Sequence, residues 1–291
     1  MTTQFQSTAI IGTGLLGASL GLALKQRGLT ETVHGVGRRQ SSLDIALERG
    51  AIDHGHLEVA DAIGDANLIV VCTPAGSVPG MLDLVRETAQ PDAIVTDVTS
   101  TKQEICDHAE RTWPTPRRFI GSHPMAGSEN FGPEHATADL YEDRYVLVES
   151  GSGLDTKALD SVCTMWAAVG AQVKLVDPVE HDQLLARTSH VPHIAASAIA
   201  LLVEQTEIIR PFAGGGFRDI TRVAAGRPEL WRDICLTNAK SVSSTLDELI
   251  SALQQFKDAV TQEDADGLDR LFEDGRQARL NIFKENGGDS S

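Results

Sequence analysis

The stretch Ala9-Ile10-Ile11-Gly12-Thr13-Gly14-Leu15-Leu16-Gly17 decides the fold of this chain. Its apolar start predicts a strand, its glycines predict a tight turn, and Leu15 begins a run with helical spacing. In the resulting G-x-G-x-x-G pattern, the first glycine makes the turn, the second admits a pyrophosphate, and the third packs the helix on the strand. The helix N-terminus adds N–H groups and a positive dipole end. The predicted dinucleotide site comprises Gly12, Thr13, Gly14, Leu15, Leu16 and Gly17.

Two other motifs share letters with this stretch, and both fail on position. Residues 12–19 resemble a phosphate-binding P-loop, but Ala18 occupies the position that requires a lysine. Residues 17–21 match G-x-S-x-G, yet a nucleophilic serine belongs on the strand-to-helix turn, and Ser19 falls inside the predicted helix. Because ligand-free glycine turns are common, the dinucleotide interpretation also depends on the strand Val33–Val36 that follows the helix.

The composition restricts the partners and the compartment. The 291 residues include 41% apolar residues and carry a net charge of −16, which argues against nucleic acid and anionic membranes as partners. No apolar run reaches the roughly 20 residues of a membrane span, and the N-terminus lacks a signal-peptide pattern. The four cysteines have no metal-binding spacing, so we expect buried, reduced thiols in a cytoplasmic protein.

Short apolar runs alternate with helical patterns as far as about residue 175. The candidate strands are Thr8–Ile11, Val33–Val36, Leu68–Cys72, Ala93–Asp97, Phe119–Ser122, Tyr145–Glu149 and Gln172–Leu175. The candidate helices are Leu15–Arg27, Ser42–Arg49, Val78–Thr88, Lys102–Arg111 and Lys157–Val169. This alternation predicts an α/β fold with a doubly wound, mainly parallel sheet that carries helices on both faces.

Strand patterns stop after Asp177-Pro178, and the rest of the chain has helical spacing. His181–Arg210 predicts a long helix that is bent or interrupted at Pro192. Gly214–Gly216 predicts a loop, either a simple connection or a part of the pocket wall. We therefore expect a nucleotide-binding domain over residues 1–177 and an all-helical domain over residues 178–291.

The ends of the predicted strands carry the candidate ligand contacts, because open α/β sheets bind ligands there. The second strand is followed by Arg38 and Arg39, where an NAD site usually has an acidic residue. A guanidinium fork suits a 2′-phosphate, so the pattern favours NADP over NAD, unless both arginines are simply solvated. Thr73 and Pro74 follow the third strand and are assigned to the cofactor site.

Two later strand ends supply candidate catalytic groups. Ser100 follows the fourth strand and is positioned to reach a substrate or the nicotinamide; it can also cap the helix that begins at Lys102, and the two roles are compatible. His123 follows the fifth strand in a stretch rich in glycine and proline, where we expect a loop. An imidazole at the ligand end of a sheet suits a general base.

The motifs together resemble the prephenate/arogenate dehydrogenases of tyrosine biosynthesis. The resemblance rests on G-T-G-L-L-G (12–17), T-D-V-T-S-T-K (96–102) and S-H-P-M-A-G-S-E (122–129). It continues through E-H-D (180–182), S-H-V-P-H (189–193), G-G-F-R-D-I-T-R (215–222) and W-R-D-I (231–234). It implies a Rossmann-like domain, a helical domain that forms a homodimer, and oxidative decarboxylation with hydride transfer to NADP or NAD.

The resemblance also implies roles for individual residues. His123 accepts the proton of the ring hydroxyl, and Ser100 orients that hydroxyl. Arg222 binds a substrate carboxylate, His193 lines the substrate and nicotinamide pocket, and His181 has a supporting or structural role. Glu129 is a candidate for distinguishing the keto side chain of prephenate from the amino side chain of arogenate.

Two other functions stay open at this point. A 3-hydroxyacid dehydrogenase also joins a Rossmann domain to a helical domain, but Asn238 and Lys240 have the wrong order and spacing for its catalytic helix. A non-catalytic NADP-binding sensor would keep the glycine turn and need neither His123 nor Arg222. A metal site at H-V-P-H is disfavoured, because Pro192 disturbs the helical spacing that paired histidine ligands prefer.

Overall fold

The structure of the chain is a computed structural model that describes residues 4–127, 130–204 and 212–284. The strands are β1 (Phe5–Ile11), β2 (Thr30–Val36), β3 (His54–His56), β4 (Leu68–Val71), β5 (Ile94–Asp97), β6 (Phe119–Ile120), β7 (Ser122–Pro124), β8 (Tyr145–Glu149) and β9 (Gln172–Val176). The helices are α1 (Leu15–Gln26), α2 (Gln40–Glu48), α3 (Ala60–Ile63), α4 (Val78–Thr88), α5 (Gln103–Thr112), α6 (Thr156–Ala168), α7 (Pro178–Leu185), α8 (Val191–Glu204), α9 (Gly215–Thr221), α10 (Pro228–Thr237), α11 (Ala239–Thr261) and α12 (Ala265–Lys284).

The first sheet contains six parallel strands in the order β3-β2-β1-β4-β5-β6. Because the order reverses between β1 and β4, the carboxyl ends of these two strands border the crevice where such sheets bind ligands. The Gly12 N–H donates to the Val36 carbonyl at 2.9 Å, and the Cys72 N–H donates to the Ile11 carbonyl at 2.7 Å. The predicted doubly wound parallel sheet is confirmed, and the glycine turn lies at its crevice.

A second sheet, β7-β8-β9, pairs β7 antiparallel and β9 parallel to β8. The chain enters it directly from β6 through Gly121, so the predicted strand Phe119–Ser122 is in fact two short strands. Glu149 causes this change of sheet: its carboxylate accepts the Gly121 N–H at 3.0 Å, and its own N–H donates to the Gly121 carbonyl at 2.8 Å. A Cβ at Gly121 would lie 2.8 Å from the Cys106 sulfur, so the passage requires glycine.

The long helix predicted for His181–Arg210 is divided where the chain approaches Pro192. A five-residue π-helical turn, Ala186–His190, separates α7 from α8. Proline has no N–H for the bond to the preceding turn, which accounts for a wider turn just before it. Residues 205–210 of that prediction lie outside the described residues. The loop predicted at Gly214–Gly216 was wrong, because Gly215 opens α9 and the Arg218 N–H bonds to the Gly214 carbonyl.

By their contacts, the chain divides into two compact units, Met1–Ser241 and Val242–Ser291. The first contains both sheets and the helices as far as α10, and the second contains most of α11 together with α12. The boundary near Asp177 follows the change from alternating to purely helical patterns in the sequence, and it stays a prediction.

The core of the first unit is apolar on both faces of the large sheet. Trp166 and Tyr141 are its largest fully buried side chains, and the Tyr141 hydroxyl donates to the Leu16 carbonyl at 2.7 Å. All four cysteines are free, but only Cys106 is buried, so the expectation of four buried thiols was wrong for Cys72, Cys163 and Cys235. In the described part of the chain, no helix combines the length and apolarity needed to cross a membrane.

Candidate active site

The glycine turn is built largely from backbone. Gly12 has φ +108°, and a Cβ there would lie 2.5 Å from the Cys72 carbonyl oxygen. A Cβ on Gly17 would lie 2.1 Å from the Gly12 carbonyl oxygen, so α1 can approach the turn only through a glycine. These two glycines are therefore required by the fold itself.

Gly14 differs from its two neighbours, because the protein has room for a side chain there. A Cβ built on Gly14 meets nothing within 4 Å, and the residue has an ordinary φ of −79°. It is exposed, and it caps α1 without a side-chain hydrogen bond to the first N–H groups of that helix. The open space and uncapped N–H groups fit a phosphate that approaches the backbone closely. The turn therefore fits a dinucleotide.

The other residues assigned to the cofactor follow β2 and β4 in the chain. Arg38 and Arg39 are exposed and follow β2 after Gly37, and Arg39 is the residue before α2. Thr73 is half-buried and Pro74 is exposed after β4. The Ser77 hydroxyl donates to Thr73 Oγ1 at 3.0 Å. Both segments begin at carboxyl ends of parallel strands that flank β1, the side of the sheet that carries the glycine turn.

The N-terminus of α5 is capped by Asp182 rather than by Ser100. The Asp182 carboxylate accepts the Lys102 N–H at 2.8 Å and the Gln103 N–H at 3.0 Å. The capping role considered for Ser100 was therefore wrong, because a carboxylate from α7 already accepts these N–H groups. Ser100 is half-buried in the segment between β5 and α5. Its role toward a substrate stays a prediction.

His123 lies in the middle of β7, and the expectation of a loop was wrong. The Ser122 N–H donates to the Asp97 carboxylate at 3.0 Å, and the Ser122 hydroxyl donates to the Asp97 carbonyl at 2.5 Å. The indole N–H of Trp166 donates to the same hydroxyl at 3.1 Å. These bonds fix β7 beside the carboxyl end of β5 and hold His123, which is 7% exposed, in the interior.

His123, His181 and Asp182 form a hydrogen-bonded chain, which we call the imidazole relay. Nδ1 of His123 lies 2.9 Å from Nε2 of His181, and Nδ1 of His181 lies 2.8 Å from Oδ1 of Asp182. His181 and Asp182 are fully buried on α7. The relay therefore joins β7 to the first helix after the predicted domain boundary.

Burial keeps the imidazoles of this region neutral. It lowers the pKa of His123 well below its ordinary value, and the positive charge of nearby Lys102 acts in the same direction. It also lowers the pKa of His181, although the hydrogen bond to Asp182 opposes that shift. A histidine that is neutral at pH 7 can accept a proton, which is the property a general base requires.

A buried ion pair lies at the carboxyl end of β5. Lys102 Nζ is 2.5 Å from Asp97 Oδ2 and 2.8 Å from Thr99 Oγ1, and both charged side chains are at most 1% exposed. Asp97 thus links this pair to Ser122 and hence to β7. Removing one partner of such a pair typically costs about 3–5 kcal/mol, so the pair fixes the segment that carries Ser100.

A second histidine group lies on α8 and the turn before it. The ring of His193 stacks on Trp231 with ring centroids 3.4 Å apart, and a Cβ on Gly226 would lie 2.9 Å from His193 Cε1. Asn238 Nδ2 lies 3.2 Å from Nδ1 of His190. Within the described ranges, Nε2 of His190 and Nδ1 of His193 are buried without a hydrogen-bond partner. Buried polar atoms normally have partners, so these two atoms indicate a place for a ligand or water.

Arg222 begins the short helical turn Arg222–Ala225, which packs against α8. It is exposed, whereas His123 is buried. The contact of Arg222 with a substrate, and its convergence with His123 on one reacting carbon, stay predictions. Ser128 and Glu129, which complete the motif that begins at Ser122, lie outside the described residues.

A surface cavity of about 330 Å³ lies where α5 meets the start of α11. It is lined by Gln103, Glu104, Asp107, Arg111, Thr237, Asn238, Ala239 and Lys240. None of the residues assigned from the sequence to substrate or cofactor is among them. The candidate active site is therefore not this cavity.

The structure adds residues that sequence reasoning did not assign. Asp182, Lys102, Asn238 and Trp231 support the candidate histidines. Asp182 is adjacent to His181 in the chain, whereas the other three come from separate segments. The signal for Asp182 was its position directly after His181 on a helix that opens with Asp177-Pro178. Trp231 belongs to the W-R-D-I motif, but nothing in that motif points to His193, and nothing local to Asn238 points to His190.

The site defines a class: a nucleotide-binding α/β domain whose glycine turn and buried imidazole suit a dehydrogenase. The family model for the nucleotide-binding domain of prephenate dehydrogenase matches residues 20–175. The model for the dimerization domain of prephenate dehydrogenase matches residues 177–274. The chain belongs to the prephenate dehydrogenase family, as the sequence motifs predicted.

Individual relatives extend over nearly the whole chain. A prephenate dehydrogenase of Bacillus subtilis is 32% identical over 95% of this chain and 76% of its own length. A cyclohexadienyl dehydrogenase of Zymomonas mobilis is 31% identical over 96% of both chains. The crystal structure of prephenate dehydrogenase from Aquifex aeolicus with hydroxyphenyl propionate and NAD+ is 28% identical, covers 97% of this chain and all of its own, and has a TM-score of 0.90.

Proposed function

We propose that this chain catalyses the oxidative decarboxylation of prephenate, arogenate or both, yielding 4-hydroxyphenylpyruvate or tyrosine. The observation that carries the proposal is His123, a buried and neutral imidazole held beside the carboxyl end of β5 in a chain of this family. A non-catalytic nucleotide sensor would not need a base held in this way.

His123 accepts the proton of the C4 hydroxyl as the C4 hydride leaves. A bound nicotinamide cofactor supplies the hydride acceptor. The bond from the ring to its carboxylate then breaks, CO2 departs, and its electron pair completes the aromatic ring. The proton returns from the imidazolium to the phenol oxygen, so the net reaction releases no proton. A base of this kind contributes about 10²–10⁴ in rate.

The remaining site residues align and hold the substrate. Arg222 pairs with a substrate carboxylate, which a chain of net charge −16 would otherwise repel. Ser100 orients the hydroxyl, and His193, held by its stack on Trp231, lines the pocket. Nε2 of His190 is buried and has no hydrogen-bond partner among the described residues, so it is available as a further donor.

NADP is the preferred cofactor in this proposal, with NAD as the alternative. Arg38 and Arg39 are exposed just beyond the end of β2, where a ribose 2′-phosphate would approach a basic pair. The test compares kcat/KM for NADP and NAD in the wild type and in Arg38→Gln and Arg39→Gln. Each substitution should lower kcat/KM for NADP and leave that for NAD nearly unchanged. Arg86→Gln, on the exposed surface of α4, is the control. A wild-type preference for NAD would refute the NADP assignment.

A homodimer formed through the helical part completes the proposal. Ile250 and Leu253 on α11 and Phe272 on α12 are each at least 58% exposed, an unusual amount of apolar surface for two helices. Light scattering should give twice the mass of the 291-residue chain, and Leu253→Asp should shift the mass towards the monomer. A monomeric wild type would contradict this part.

The activity is tested with four assays on the full chain: prephenate or arogenate, each with NADP or NAD. Reduction of the cofactor together with CO2 release is expected in at least one combination. Cofactor binding without turnover in all four would favour a sensor. Oxidation of a 3-hydroxyacid substrate in place of these would favour the other dehydrogenase class.

A further inference from the structure

We propose that His181 and Asp182 are positioning residues that fix the tautomer of His123, with its proton on Nδ1 and its lone pair on Nε2. The inference rests on the proposed function for its consequence in catalysis. The hydrogen-bond pattern that carries it does not depend on that function.

Asp182 sets the direction of the imidazole relay. Its carboxylate accepts the backbone N–H groups of Lys102 and Gln103 at 2.8 and 3.0 Å, and it lies 2.8 Å from Nδ1 of His181. A carboxylate has no hydrogen to donate, and both oxygens of Asp182 already accept backbone N–H groups. Nδ1 of His181 must therefore carry a proton and donate it to Asp182.

His181 transmits this direction to His123. Burial and the charge of Lys102 both lower the pKa of His181, so its ring is neutral and its Nε2 has a lone pair. The 2.9 Å bond then requires His123 to donate from Nδ1, which leaves the lone pair of His123 on Nε2. If His181 donated to His123 instead, the single ring proton of His123 would be on Nε2. That nitrogen could not then accept a proton from a hydroxyl.

The relay is closed to water on the side of α7. His181 and Asp182 are 0% exposed, and the Asp182 carbonyl accepts Nδ2 of Asn238 at 2.7 Å. Water therefore cannot replace Asp182 as the partner of His181 in the folded chain. His181 is thus the partner of His123 at Nδ1, and it acts as the hydrogen-bond acceptor.

The first test reads the tautomer directly. In the full chain labelled with 15N at histidine, correlations between ring nitrogens and ring protons distinguish an Nδ1–H imidazole from an Nε2–H imidazole. His123, assigned by comparison with His123→Asn, should be the Nδ1–H tautomer at pH 7. An Nε2–H signal for His123 would overturn the proposal, whether or not the chain shows any turnover.

The second test uses two substitutions of His181. His181→Leu removes the acceptor, so kcat should fall about tenfold to a hundredfold, a part of what the base contributes. KM and cofactor affinity should stay within about twofold. His181→Gln offers an amide oxygen to His123 and should recover most of kcat. His108→Leu is the matched control, because His108 pairs with Asp83 at 3.0 Å as His181 pairs with Asp182.

The outcomes separate this proposal from the function itself. An unchanged kcat in folded His181→Leu, or a lower kcat with the His123 tautomer unchanged, would overturn the positioning role. If His181→Leu does not fold, the wild-type spectrum and His181→Gln decide the question. A wild type without turnover on both substrates would contradict the proposed function, while the spectrum would still test the tautomer.

Discussion

The glycine turn and the imidazole relay are built in opposite ways. The turn uses the backbone of one short stretch, Gly12–Gly17, where glycines avoid clashes with the carbonyls of Gly12 and of Cys72 after β4. The relay uses side chains from β7 and α7 that are 58 residues apart in sequence. The turn therefore needs only glycines in one motif and a backbone neighbour, whereas the relay needs particular side chains from two separate segments that have packed together.

This difference separates binding from chemistry in the molecule. The turn can recognise phosphates in any dehydrogenase of this architecture, because N–H groups and open space do not depend on the reaction. In the proposed mechanism, the relay prepares one imidazole for one proton transfer. Substitutions in the turn should therefore change cofactor affinity, and substitutions in the relay should change turnover.

The largest expected effect is that of His123→Asn. The variant should fold and bind cofactor normally, while kcat falls by at least about 10², because the proton acceptor is lost. Steady-state kinetics with cofactor titration measures both quantities. His108→Asn, a histidine outside the relay, should leave kcat unchanged. If His123→Asn kept the wild-type kcat, the assignment of turnover to the relay would be wrong.

Substitution of two glycines sharpens the contrast within the turn. Gly14→Ala should keep the melting temperature and raise the cofactor Kd about tenfold to a hundredfold, since its Cβ occupies space that only a ligand needs. Gly17→Ala should lower the free energy of unfolding by about 1–3 kcal/mol, because its Cβ meets the Gly12 carbonyl. Calorimetry measures both. Equal melting temperatures for the two variants would contradict this division.

A smaller effect is expected from Arg222→Gln, which tests whether the helical segment belongs to the chemistry or to substrate binding. Glutamine keeps a donor but loses the charge, so KM for substrate should rise about tenfold with kcat and cofactor Kd little changed. Initial-rate kinetics at saturating cofactor gives the answer. An unchanged KM would remove Arg222 from the substrate site.

The two regions also differ in how far they could be predicted from sequence. The glycine turn, α4 (Val78–Thr88) and β8 (Tyr145–Glu149) were predicted at their observed positions, because spacing and local sterics determine them. β3 has only three residues and carries no apolar alternation, so it was missed.

The relay and its supports could not be predicted as a unit. Asp182 caps a helix whose first residues lie about 80 positions earlier in the chain, and that bond displaced the capping role considered for Ser100. The chain passes from the first sheet to the second at Gly121, where Glu149 accepts the Gly121 N–H. The environment of His123 therefore depends on a carboxylate distant in sequence. The position of His123 at the ligand end of a predicted strand, together with the motifs of the family, predicted it as a base, but neither predicted its partners.

The pH dependence of kcat/KM tests the central claim, that neutral His123 is the base, most directly. Burial and the positive charge of Lys102 lower its pKa, so activity should be full at pH 7 and fall only as the pH drops below the ordinary histidine value of about 6.5. The residual activity of His123→Asn should lose this acidic limb. A limb centred above 6.5, or one that is unchanged in His123→Asn, would contradict the account.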